Sequence, residues 1–137
     1  MSISYPSTLH GIIADAEKNH FWFQARRSLI VSIISRFMPQ PTTKRFCEIG
    51  FGTGELLFEI EHLGFQTTGI DINGQALKFA EGKTHATLIR TSLLTYHPAK
   101  KFDAIGLFDV LEHQKDDHTF LKHCARILKQ NGLLFLT

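Results

Sequence analysis

The chain has 137 residues, 43% hydrophobic and 20% charged, with a net charge of +2. That length suits one domain with one core. The balance excludes a disordered chain and, with no run of five basic residues, gives a nucleic-acid partner no support.

Residues 1–6 read as a loose tail, with no basic region and long apolar run of the signal-peptide kind. Ser7 or Thr8 caps a first short helix reaching about Asn19. His20-Phe21-Trp22-Phe23-Gln24-Ala25-Arg26-Arg27 opens a second helix. Its apolar residues Trp22, Leu29, Ile30, Ile33, Ile34 and Phe37 recur close to helical spacing. Pro39 and Pro41 end it. No apolar stretch is long enough to cross a bilayer, so the expectation is a cytoplasmic protein without a membrane partner. Residues 1–40 form an N-terminal helical segment and residues 44–137 an α/β core, within a single domain.

A β-like run, residues 45–49, flows into Gly50-Phe51-Gly52-Thr53-Gly54. The turn opens a helix with apolar residues Leu56, Leu57, Ile60 and Leu63. Strand, glycine turn and helix in that order form the nucleotide-binding corner of an open α/β sheet. A dinucleotide fingerprint needs glycine at position 55, where this chain has Glu55. A pyrophosphate on that helix end would meet a carboxylate, and two anions there repel. Glu48 adds another negative charge just before the turn. This pattern suits a ligand with no phosphate and some positive charge, and S-adenosylmethionine fits. The stretch resembles motif I of the class I S-adenosylmethionine-dependent methyltransferases. Taken alone, the glycines also suit a plain strand-to-helix turn.

Gly64 marks a stop, and a second strand over residues 67–70 ends on Asp71. Asn73 is an N-cap for a helix over 74–81, with Gly82 as its C-terminal glycine. Residues 86–89 make a third strand. A polar loop over 91–101 leads to a fourth strand over 102–107. A helix over 117–129 is ended by Asn131-Gly132, and a fifth strand begins at 133–136. Strands alternating with helices predict a parallel sheet with right-handed crossovers. Cys47 in the first strand and Cys124 on an apolar helical face read as small buried hydrophobes, not a disulfide.

Asp71, at the end of the second strand, is placed to accept hydrogen bonds from both ribose hydroxyls. It also suits the start of a helix. His113, His118 and His123 are five apart, which turns about 140° round a helix, so they share no face and predict no metal site. His113 is either a general base at a pocket mouth or a helix-start histidine.

The fourth strand reads Phe102-Asp103-Ala104-Ile105-Gly106-Leu107, then Phe108-Asp109-Val110-Leu111-Glu112-His113. This run resembles the fourth-strand motif of small-molecule methyltransferases of the ubiquinone-biosynthesis type. The His20-Phe21-Trp22-Phe23-x-x-Arg26 segment and Asn131-Gly132 resemble that group too, so the likeness covers about residues 20–137. It implies a Rossmann-like fold, a parallel sheet with helices on both faces, lacking the last two strands. It implies S-adenosylmethionine as cofactor, S-adenosylhomocysteine as product and a small-molecule acceptor. Glu48 and the backbone of Gly50, Phe51, Gly52 and Gly54 would hold the methionine end. Asp71, with Ile72 beside it, would hold the ribose. Ser92 and the Leu93 backbone fall where the family often has an acid on the adenine amino group. Phe108 and Asp109 would line the sulfonium side. Arg26 would pair with the methionine carboxylate, and Trp22 or Phe23 would exclude water or simply pack the helix. Two other readings stand beside this one: a non-catalytic truncated domain that binds cofactor or a partner, and an NAD-dependent oxidoreductase. The fifth strand, left as an apolar edge, predicts either a homodimer that pairs or covers this edge, the favoured outcome, or a poorly soluble monomer with a frayed C-terminus.

Overall fold

Near-continuous apolar runs form the centre of a sheet buried on both faces. β1 (Arg45–Ile49) is buried from Phe46 onward, with Glu48 the one charged residue in its buried run. The computed structural model describes residues 11–12, 15–16 and 18–137. In it β1 lies between β2 (Gln66–Asp71) and β4 (Phe102–Leu107). β3 (Thr87–Arg90) and β5 (Leu128–Leu136) complete a sheet of order β3-β2-β1-β4-β5, every pair parallel.

The helices are α1 (Phe21–Phe37), α2 (Glu55–His62), α3 (Gly74–Ala80) and α4 (Asp117–Ile127). Phe120, Cys124 and Ile127 of α4 pack on Cys47, Ile49, Ile105 and Leu107. Ile30 and Ile34 of α1 join Leu56 and Ile60 of α2 on Phe46 and Ala104. Leu57 links α2 to Ala76 and Ala80 of α3. Helices thus cover both faces. Both cysteines are free and buried; burial raises both thiols, Cys124 to about 11. Among the described residues no helix is long and apolar enough to cross a membrane.

Local chemistry places the boundaries. Asn73 caps α3 by accepting from the Gln75 amide, and Asp116 caps α4 by accepting from that of Thr119. Gly64 and Gly82 close α2 and α3 with positive φ. The expected caps Ser7 and Thr8 lie outside the described residues; residues 11–12, 15–16 and 18–19 are helical.

Two expectations need correction. The last helix ends at Ile127, not residue 129, because Leu128 already pairs with Phe102. Regular pairing resumes at Leu133 opposite Ala104, and the extra residues bulge out through Asn131, in the left-handed region at φ 62. Asn131-Gly132 therefore turns the chain inside β5 instead of ending α4. Of the apolar residues on α1, only Ile30 and Ile34 are buried; Leu29 is 61% and Phe37 64% exposed. The helix meets the sheet through one narrow ridge, and its neighbouring apolar stripe faces outward.

Candidate functional site

The glycine turn is built by backbone conformation. Gly50, Gly52 and Gly54 have φ of 72°, 56° and 79°, where a Cβ is costly. The Gly50 amide donates to Ile70 of β2 at 2.8 Å, and the Gly54 amide to Phe51 at 2.9 Å. A Cβ on Gly50 would strike Val110 and one on Gly54 would strike Ala80, whereas one on Gly52 would enter open space.

Gly52 borders a cavity of about 590 Å³ at the carboxyl ends of β1, β2 and β4. Open α/β sheets bind ligands at this end. A second cavity, about 470 Å³, lies at the opposite end beside Lys44, Asp103 and Lys129. Topology favours the first as the functional site.

Gly50 and Gly52 form part of the first cavity's wall, with Asp71 and Ile72 at the end of β2. Ser92 and Leu93 line another side, and Asp109 the side after β4. Glu48, Phe51, Gly54 and Phe108 are not in the lining. Glu48 is 3% exposed and sits in register between Gly69 and Gly106 on the flanking strands. Phe51 and Phe108 occupy space that side chains at Gly69 and Gly106 would take.

Asp71 ties the turn to β2. One carboxylate oxygen accepts from the Gly52 amide at 3.2 Å and the other from the Asn73 amide at 2.8 Å. A carboxylate has lone pairs for more than two donors. Ser92 caps a 3₁₀ turn (Leu93–Thr95), its hydroxyl oxygen accepting from the Leu94 amide. Ile72 and Leu94 are exposed apolar residues that line the same cavity.

Sequence reasoning missed the opposite wall. Gln114, Lys115, Asp116 and Thr119 form it around the start of α4, and Val110, also in the lining, fills the space a Cβ on Gly50 would take. The one legible signal was Asp116-x-x-Thr119, a helix start. His113 also lines the cavity, in a 3₁₀ turn (Leu111–His113) rather than a helix start.

Two ion pairs were not legible either. Arg26 donates to Asp109 at 2.8 Å and to the Thr137 hydroxyl at 2.8 Å, tying α1 to the cavity's edge. Trp22 stands beside it, its ring centroid 5.8 Å from the guanidinium. Neither Trp22 nor Phe23 lines the cavity, and Tyr96 packs against the core. Glu55 pairs with Lys83 at 2.9 Å and also lies outside the lining. Its charge is therefore compensated by Lys83, which weakens the repulsion that Glu55 would exert on a phosphate.

A family model described as a methyltransferase domain matches residues 21–137. Over 98 residues the chain is 35% identical to the ubiquinone biosynthesis O-methyltransferase of Bradyrhizobium diazoefficiens, covering 68% of this chain and 39% of that protein. The enzyme of the same name from Glaesserella parasuis is 31% identical over 105 residues, covering 69% and 44%. The chain thus spans about two fifths of the length of these curated relatives. Among solved structures, it resembles the N-methyltransferase NodS of Bradyrhizobium japonicum in complex with S-adenosyl-L-homocysteine, with a TM-score of 0.75 and 19% identity over 88% of this chain and 63% of that one. The S-adenosylmethionine-bound aminopentose methyltransferase CalS10 of Micromonospora echinaspora gives 0.74 and 19% over 99% and 58%. At such identities these likenesses speak to the fold.

Proposed function

The chain belongs to the methyltransferase-domain family, and on that premise we propose that it binds S-adenosylmethionine in the cavity at the carboxyl ends of β1, β2 and β4. One observation carries the reading: Gly50 and Gly52 bring bare backbone to the cavity wall while Asp71 stands beside them. Such a wall accommodates a nucleoside with an amino-acid tail, because no Cβ stands between backbone and ligand.

Asp71 would accept from the ribose hydroxyls. Ile72 and Leu94 would cover the faces of the adenine, with Ser92 and the Leu93 backbone at its edge. The turn and Asp109 would hold the methionine end, and Arg26 would share its guanidinium between Asp109 and the carboxylate. Glu48, Phe51, Gly54 and Phe108 would act from behind by fixing the backbone. When bound, S-adenosylmethionine supplies a methyl group on a positively charged sulfur. The residues at the wall would align it with an acceptor for in-line displacement, and alignment of this kind supplies much of the rate. No catalytic side chain is assigned.

For the whole protein we propose methyl transfer to a small molecule, as the names of the curated relatives suggest. For these 137 residues we also propose a homodimer formed through β5, an edge strand of the described sheet. Native mass spectrometry of the purified protein tests the cofactor. The expected adduct is S-adenosylmethionine or S-adenosylhomocysteine; an NAD adduct would favour the oxidoreductase reading instead. Transfer of a labelled methyl group to an added small-molecule acceptor separates an enzyme from a binding-only domain.

A further inference from the structure

The glycine turn has two sides. One faces the cavity; the other meets the C-terminal end of α3. Ala80 of α3 lies where a Cβ on Gly54 would fall, 2.7 Å away. Beyond it Gly82, at φ 79°, reverses the chain, and the Lys83 amide closes the bend on the Ala80 carbonyl at 3.1 Å. This bend sends the Lys83 side chain back to the start of α2. Its ammonium donates to the Thr53 carbonyl at 3.2 Å and to the Glu55 carboxylate at 2.9 Å.

We propose that Lys83 is a positioning residue for the ligand site, holding the glycine turn from the side away from the cavity. Three features carry this. Lys83 grips the turn at the residues on either side of Gly54. The pair is only partly exposed, 28% for Lys83 and 16% for Glu55, so solvent screens it less than a surface pair. It also compensates the carboxylate at the N-terminus of α2, which would otherwise oppose the helix dipole's attraction for an anionic ligand group. The next residues repeat the attachment at the other end of α2: Glu61 accepts from the Thr84 hydroxyl and the His85 amide. The segment after α3 is therefore a brace along α2, and Lys83 is its contact with the turn. This inference rests on the proposal that the cavity binds S-adenosylmethionine.

The test uses the full chain as wild type, Lys83→Met, Lys83→Arg and Lys78→Met; Lys78 is an exposed residue of α3 and serves as control. Hydrogen exchange at the amides of residues 52–54 is read without ligand, and S-adenosylhomocysteine affinity by calorimetry. In Lys83→Met exchange should quicken and affinity fall about tenfold, the scale of a charge-assisted bond. Lys83→Arg should keep both near wild type, and Lys78→Met should change neither. Should Lys83→Met fail to fold, Lys83→Gln takes its place with the same readouts. A folded variant with wild-type exchange, or with faster exchange and unchanged affinity, overturns the proposal. Wild type that binds no S-adenosylhomocysteine refutes the cofactor reading instead, a separate result.

Discussion

Asp71 does two jobs with one carboxylate. It joins the Gly52 amide to the Asn73 amide, and it stands at the cavity wall. Both readings of this residue from sequence, helix start and ribose acceptor, suit the same geometry. Asp71→Ala should weaken S-adenosylhomocysteine binding by about 1.5–3 kcal/mol, the range for hydrogen bonds to a charged group. Wild-type affinity would remove the ribose role. Gly52→Val tests the turn differently. Its Cβ would meet no protein atom within 4 Å, so the core is undisturbed, but a β-branched residue at φ 56° is strained, and position 52 lines the cavity. Circular dichroism should show a fold and calorimetry no binding; a folded variant that binds normally would mean the turn does not touch the ligand. The glycines and Asp71 were legible because their chemistry is local. Lys83 on Glu55 and Arg26 on Asp109 were not, since each pair joins residues that only the folded sheet brings together.

At the scale of elements, the junction of β1, β4 and β5 depends on Asp103. Its carboxylate accepts from the Arg45 amide at 2.8 Å and from Lys129 at 2.9 Å, with Lys44 at 3.8 Å. Partial burial alone would raise its pKa. The Arg45 and Lys129 hydrogen bonds, with the charges of Lys129 and Lys44, outweigh burial and hold it below the usual aspartate value. A lowered folded-state pKa gives stability that is present above the unfolded value, about 3.9, and is lost as pH falls through the folded one. Asp103→Asn should therefore cost about 1–3 kcal/mol at pH 7 in urea denaturation. The difference should shrink below about pH 4; a constant difference down to pH 3 would contradict the linkage. This contact also explains the misplaced end of α4. Helical periodicity runs on through Leu128, but pairing with Phe102 and the Lys129–Asp103 bond draw those residues into the sheet. Likewise, periodicity marked six apolar positions on α1 but could not say which ridge meets the sheet.

Across the whole molecule, the parallel sheet was readable because its strands alternate with helices, whereas the order of those strands comes from the structure. β5 lies at one edge of that sheet, and Leu136 is exposed. Edge strands with unpaired backbone groups recruit a further strand or another chain. Light scattering of this 137-residue chain should give a dimer, with slow hydrogen exchange along residues 133–136; a monomer with those amides well protected would contradict pairing through β5. The central claim is that the cavity beside Gly50, Gly52 and Asp71 is an S-adenosylmethionine site. Calorimetric titration of the wild-type chain with S-adenosylhomocysteine, and separately with NAD, tests it most directly. The account predicts saturable one-to-one binding of the first and no comparable heat with the second. A folded chain that binds neither, or binds NAD as well, would contradict it.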